Sequence, residues 1–153
     1  MGVAEASQDE EAVAKSRVKV AELEVAVAKA KIGVAEAKDD SAATARARVG
    51  VAACKVEVAE ARVGVATLSK DAVAVSEANV AVAEAKVAFA EAKKNLVEVA
   101  EARVQVAEAR VAVAQSKWEH AAGEEEKESC KGRLEAALAT LHKAEANRDR
   151  DVA

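Results

Sequence analysis

Apolar residues recur along this chain with a period of seven. The unit reads V-x-V-A-E-A-K/R. It is clean at 56–62, 80–86, 97–103 and 104–110, and looser in copies beginning at Met1, Glu11, Val18, Val25, Ile32, Ala42, Val49, Val63, Val73, Val87, Val111 and Trp118. Over these sixteen copies the fourth position is always alanine or serine, and the third is valine in thirteen. Paired valines suit a strand, but a strand needs a period of two, and the alternation breaks at the alanine and glutamate of every unit. Alanine, glutamate, lysine and arginine are strong helix formers. Gly33, Gly50 and Gly64 each weaken their turn by about 1 kcal/mol without reversing the preference. The pattern predicts an all-α protein.

Polar triplets interrupt the heptads at 8–10, 39–41, 70–72 and 94–96, and leave blocks of four, four, three and four units between them. Each triplet carries a helix N-cap residue: Asp9, then Asp39, Asp40 or Ser41, then Asp71, then Asn95. Asn95 is followed three residues on by Glu98, the spacing of a capping box. Lys38, Lys93 and Lys94 lie where a helix C-terminus favours positive charge. After Trp118 the pattern changes. Gly123 is expected to stop the preceding helix, and Glu124, Glu125 and Glu126 suit a new helix start. A different stripe follows in Cys130, Leu134, Ala137, Leu138, Leu141 and Ala144, ending in a charged tail at 147–151. The expected organisation is a heptad-repeat region over 1–122, with helices at about 11–38, 42–69, 73–93 and 97–122. A C-terminal amphipathic helix and charged tail then occupy 123–153.

At about 100° per residue, positions one and four fall together on one side of each helix, and positions three and six nearly opposite. Position five, mostly glutamate (Glu36, Glu60, Glu84, Glu101), runs along one flank. Position seven, mostly basic (Lys38, Arg62, Lys86, Arg103), runs along the other. A helix with two opposed seams asks for a neighbour on each side. In pattern it resembles bifaceted coiled coils such as those lining helical efflux ducts. Two arrangements bring the glutamate row against the basic row. One is a long parallel coiled coil using the one/four seam throughout. The other is an antiparallel bundle or array of four to five helices, each packing its one/four seam on the three/six seam of its neighbour. In a continuous coil each triplet would be a stammer. Recurrent caps favour turns and hence the antiparallel array, although no triplet holds the glycine or proline that tight turns often use.

Composition narrows the function. Hydrophobic residues make up 52% of the 153, but they are almost all alanine and valine, and Phe89 and Trp118 are the aromatics. The core must therefore be thin. Charge is nearly balanced, with 27 acidic and 23 basic residues and a net charge of -4, so there is no basic field for nucleic acid. No stretch of about 18 apolar residues predicts a transmembrane helix, and the first residues lack the basic and apolar regions of a secretory signal. Two cysteines without a close-spaced motif suit free thiols and a cytoplasmic location.

No constellation points to chemistry. His120 fills a valine slot and His142 follows Leu141, and neither belongs to a set with metal-ligand spacing. Cys54 holds a position-six alanine slot and reads as a small core residue. Cys130 lies on a charged helix and reads as the more exposed thiol. Trp118, at position one of the last heptad, reads as a plug between the repeat and the final helix. The carboxylates form a regular ridge, which is a solvated or ion-paired face rather than an acid/base pair. The expectation is no enzyme, no catalytic residues, no cofactor and no metal. It is instead a structural or scaffold protein that associates with itself or with other helical proteins through exposed apolar seams. Reversible binding to a lipid surface is the alternative. Gly33–Ala37 (G-V-A-E-A) resembles a fragment of a synuclein repeat, although those repeats have a period of eleven. A stress-protective helical protein is a third class.

Overall fold

The structure, a computed structural model, describes residues 2–152, with side-chain surroundings for residues 9–150. The described residues form five helices: α1 (Gly2–Glu36), α2 (Ser41–Leu68), α3 (Ala72–Lys93), α4 (Leu96–Glu119) and α5 (Glu124–Val152). Three of the four triplets are turns, so the antiparallel arrangement is the one formed and the long parallel coiled coil is not. Among the described residues, each helix packs only against its neighbours in sequence: α1 on α2, α2 on α3, α3 on α4 and α4 on α5. The helices thus form a single-layer antiparallel row. A ring or two-layer bundle would bring non-consecutive helices together.

The first triplet behaves differently. Residues 8–10 lie inside α1, which runs unbroken from Gly2, so Asp9 is not an N-cap. The C-terminal tail is also helical, since α5 continues through 147–151.

The turns solve the missing-glycine problem by placing ordinary residues in the left-handed region. Asp39, Lys70 and Lys94 have φ of 52°, 56° and 58°. Each is followed by the N-cap of the next helix. Asp40 accepts from Ala43 N at 2.8 Å. Asp71 accepts from Val73 N and Ala74 N at 2.9 and 3.0 Å. Asn95 accepts from Glu98 N at 3.2 Å. In the first and third turns the backbone also closes a Schellman pattern: Asp40 N donates to Ala35 O at 3.1 Å and Asn95 N to Ala90 O at 3.1 Å. One residue therefore ends a helix while its successor starts the next. Only half of the box at Asn95 forms, because the Glu98 carboxylate accepts from Lys93 Nζ at 2.7 Å instead. A left-handed non-glycine residue costs roughly 1–2 kcal/mol, and glycine gives back roughly 0.5–1 kcal/mol of that in unfolded-state entropy. Lys94→Gly should therefore stabilise the protein by about 0.5–1 kcal/mol, read as a higher urea midpoint at unchanged slope. A lower midpoint would show that the Lys94 side chain contributes something the backbone account omits.

Gly123 does not end α4. His120 is the C-cap, and Gly123 stands before α5, where its carbonyl accepts from Lys127 N at 2.9 Å and Glu126 reaches back to Ala122 N at 3.1 Å. Its φ is not positive, so no left-handed conformation demands a glycine there.

The core is as thin as the composition requires. Among the described residues fourteen apolar ones are buried, nine of them position-four alanines (Ala21, Ala28, Ala35, Ala52, Ala59, Ala83, Ala90, Ala100 and Ala107), and none is below 2% exposed. A row one helix thick has water on both faces, so every interior helix needs two narrow apolar strips and two polar faces. Small residues at the strips let backbones approach. Large ones would protrude from the layer, and Trp118 does protrude: it is 42% exposed and does not plug the end. Cys130, expected to be the more exposed thiol, is the more buried one. Cys130 is buried in the α5 strip and Cys54 is half-buried in α2.

Candidate helix-docking interface

The direction in which each helix uses its two seams defines the functional surface. In α1 the protected positions are 14, 18, 21, 25, 28, 32 and 35, alternately three and four apart. These are positions one and four, so α1 presents its one/four seam to α2. The α2 side is identified by charge. Glu22 and Glu36, at position five of α1, pair with Arg62 and Arg48, at position seven of α2, at 2.9 and 3.5 Å. In an antiparallel pair that match requires the three/six seam of α2. The same match recurs between α3 and α4. Glu77, Glu84 and Glu91 face Lys117, Arg110 and Arg103 at 2.7, 3.0 and 3.3 Å, stepping one heptad forward on one helix and one back on the other. In every case the two charges are the residues that directly follow the second seam position of their own helix. These five cross-helix pairs are the combination that the antiparallel one/four-on-three/six reading predicts.

All five are solvent-exposed on both sides. Each contributes about 0–1 kcal/mol, so they select register more than they stabilise. Burial of the alanines and valines carries the stability. Between α2 and α3 the corresponding positions read Ala53, Glu60 and Thr67 against Asn79, Lys86 and Lys93. Only Glu60 and Lys86 oppose in charge, and Lys93 is engaged by Glu98 across the next turn. That interface relies on packing.

Each helix therefore uses its one/four seam toward the following helix and its three/six seam toward the preceding one. Interior helices have both covered. In α4, Val99 and Ala102 of the three/six seam and Ala100, Val104 and Ala107 of the one/four seam are all buried. The two ends differ. Helix α5 has one strip, protected at 127, 130, 134, 137, 141, 144 and 148, with 145 and 147 beside its end, and, Leu138 apart, polar or small residues elsewhere. The predicted C-terminal stripe is thus the packed one, except for Leu138, which is 39% exposed. Helix α1 has a full second seam, and it is open: Val13, Val20, Leu23, Val27 and Val34 are 53–67% exposed. This seam continues into a groove of about 1160 Å³ between α1 and α2, walled by Val20, Val27 and Val34 on one side and Ala47, Gly50 and Cys54 on the other.

The remaining candidates do not converge. Among the described residues no three His, Cys, Asp or Glu side chains approach as a metal set. The His120 ring donates through Nδ1–H to Ser116 O at 2.7 Å, a helix-end bond. His142 lies 3.4 Å from Glu145 one turn away. Trp118, Cys54 and Cys130 stand on three different helices. No helix among the described residues is long and apolar enough to cross a membrane. Open seams on the outermost helices follow from the two-seam heptad; which end keeps one is not visible within the α1 heptads, because they read like those of α2. The distinguishing signal lay at the far end, where α5 lacks the second seam.

No protein family model matches the chain, and no curated protein or solved structure is significantly similar to it.

Proposed function

We propose that this is a structural or scaffold protein that works by helix–helix association through the α1 edge of the row. One observation carries the reading: an apolar seam that is covered on α2, α3 and α4 stands open along α1, with Leu23 67% exposed at its middle. Contiguous apolar strips of this kind on a soluble surface mark interaction sites. No catalytic role enters this reading. The free thiols Cys54 and Cys130 suit the reducing cytoplasm.

The test is molar mass against concentration by light scattering, on the wild type and on Leu23→Glu. The wild type should exceed the chain mass of 15.8 kDa increasingly with concentration. The variant should stay monomeric with unchanged helicity and stability within about 0.5 kcal/mol, since Leu23 faces water in the monomer. A wild type that remains monomeric throughout would contradict the reading.

A lipid surface is the second occupant the same edge suits, because Arg17, Lys19, Lys31 and Lys38 border or adjoin the exposed valines. Glu10 and Glu24 interleave with them, and the strip holds no aromatic anchor, which favours a protein partner. Flotation with anionic vesicles that Leu23→Glu abolishes would transfer the function to this reading.

A further inference from the structure

We infer that the occupant of the open α1 seam is a second copy of this chain, joined α1 to α1 in antiparallel fashion about a twofold axis beside Val20 and Leu23. The inference rests on the association reading above and specifies its partner and register.

The two ends of the row make the choice. A row that grew head to tail would need an outward one/four seam at its far end to meet the three/six seam of α1. Helix α5 has none: its single strip is spent on α4. Among the described residues, the surface that matches an open three/six seam is therefore another open three/six seam. Pairing of identical surfaces is isologous and closes at two copies.

With the antiparallel sense that every pair inside the row has, charge then selects the register. Inside the row, the ion-paired residues are those that directly follow the second seam position. For the open seam of α1 that is the position-seven row: the stretch Glu10, Arg17, Glu24 and Lys31 alternates in sign at intervals of one heptad, Glu10 lying one heptad before the first position seven, and Lys38, the last position seven, repeats the positive sign. All four of the stretch are exposed, and among the described residues none of them has an ion-pair partner within its own chain. In an antiparallel pair this row meets its own reverse. With Arg17 opposite Glu24 of the second copy, symmetry also sets Glu24 opposite Arg17, Glu10 opposite Lys31 and Lys31 opposite Glu10. Every one of these pairs attracts. A slip of one heptad in one direction puts Arg17 on Arg17 and Glu10 on Glu24. A slip in the other direction puts Glu24 on Glu24 and Arg17 on Lys31, and leaves Glu10 against Lys38 as its one kind of attractive pair. Both slips replace most of the attraction by repulsion.

The same register packs the seam well. The flank pairs and seam layers keep the offset they have inside the row. Val20 then meets Leu23 of the second copy at the centre, twice, with Val13 against Ala30 and Val27 against Ser16 outside it, and Val34 beside Asp9 at the rim of the seam. On the other flank, Lys19 falls opposite Ala26 and Ala12 opposite Gly33, so no like charges meet. The product is a continuous row of ten helices ended on both sides by the polar outer face of α5.

Sedimentation equilibrium on the full-length chain tests this by charge reversal. The wild type should reach twice 15.8 kDa and stop there. Arg17→Glu and Glu24→Arg each turn two attractive pairs into repulsive ones, so each should weaken the dimer by roughly tenfold or more. The double variant should recover it. An equimolar mixture of the two single variants should form the heterodimer. There the two carboxylates of one copy, at positions 17 and 24, face the two guanidinium groups of the other. Circular dichroism of the variants should match the wild type, because both positions are exposed. Dimerisation indifferent to both reversals, or growth beyond two copies, would overturn this geometry while leaving helix-mediated association standing. A wild type monomeric at all concentrations would overturn both.

Discussion

Ala90→Leu is expected to be among the most damaging single apolar substitutions in this protein. Ala90 is the least exposed of the buried residues, at 3%, and its carbonyl closes the turn into α4 by accepting from Asn95 N at 3.1 Å. It occupies position four, where helices come closest. Adding three carbons there forces the α3 and α4 backbones apart or drives leucine into a strained rotamer. Overpacking of this kind costs about 1–3 kcal/mol, and at about 2–4 °C per kcal/mol for a chain of this size the melting temperature should fall accordingly. Ala88→Leu is the control. It lies two residues away on the exposed face and should change stability by no more than about 0.5 kcal/mol. Thermal and urea unfolding of the two variants side by side would decide. Equal tolerance at both positions would mean that the alanine row is not where the helices meet, and the thin-core account would fail.

The second large effect concerns assembly. Ending the chain after residue 122 removes α5 and uncovers the one/four seam of α4, in which Ala100, Val104 and Ala107 are now buried. The shortened chain then has an open one/four seam at one end and the open three/six seam of α1 at the other. Those are the two halves of the interface used throughout the row. Their charges also fit: Glu101 and Glu108 of α4 step against Lys38 and Lys31 of α1 in the antiparallel sense. A heterologous contact of this kind does not close. Open-ended polymers are therefore the expected result, as when a repeat protein loses its polar capping unit. Mass by light scattering should climb without a plateau, and electron microscopy should show ribbons one helix thick. Leu23→Glu in the shortened chain should abolish growth. Cys130→Glu with Leu141→Glu in the full chain, which loosens α5 without removing it, should reproduce the growth. A shortened chain that stays a helical monomer would show that the two seams are not interchangeable.

Much of this fold was legible because the heptad repeats both the seams and their flanking charges. Glutamate after position four and arginine or lysine after position six admit one antiparallel match, and Glu84 with Arg110 is an instance of it. The caps at Asp71 and Asn95 were readable for the same reason, since their side chains act locally. The turns were harder. Left-handed residues are usually glycine, and here they are Asp39, Lys70 and Lys94, whose conformation is imposed by the two helices they join. The triplet at 8–10 resembles the others, yet α1 runs through it, so Asp9 by itself does not set a turn. Trp118 and Cys130 were misplaced because burial in a one-layer row depends on the partner strip, which for the last helix lies outside the repeat. The docking edge had no local signature, because Val20 and Val27 of α1 occupy the same slots as Val51 and Val58 of α2. What separates them is whether a neighbour follows.

An open row and a closed bundle differ most in the separation of the first and last helices, and that distance is the most direct test of the fold. Nitroxide labels at Lys29→Cys on α1 and Lys143→Cys on α5, both exposed, can be measured by double electron–electron resonance in a background lacking Cys54 and Cys130. Leu23→Glu would keep the chain monomeric. Four helix-to-helix steps of about 8–10 Å place the labels about 30–40 Å apart in an open row. A separation near a single step, about 10 Å, would mean that α5 folds back onto α1. It would contradict both the open row and the docking edge.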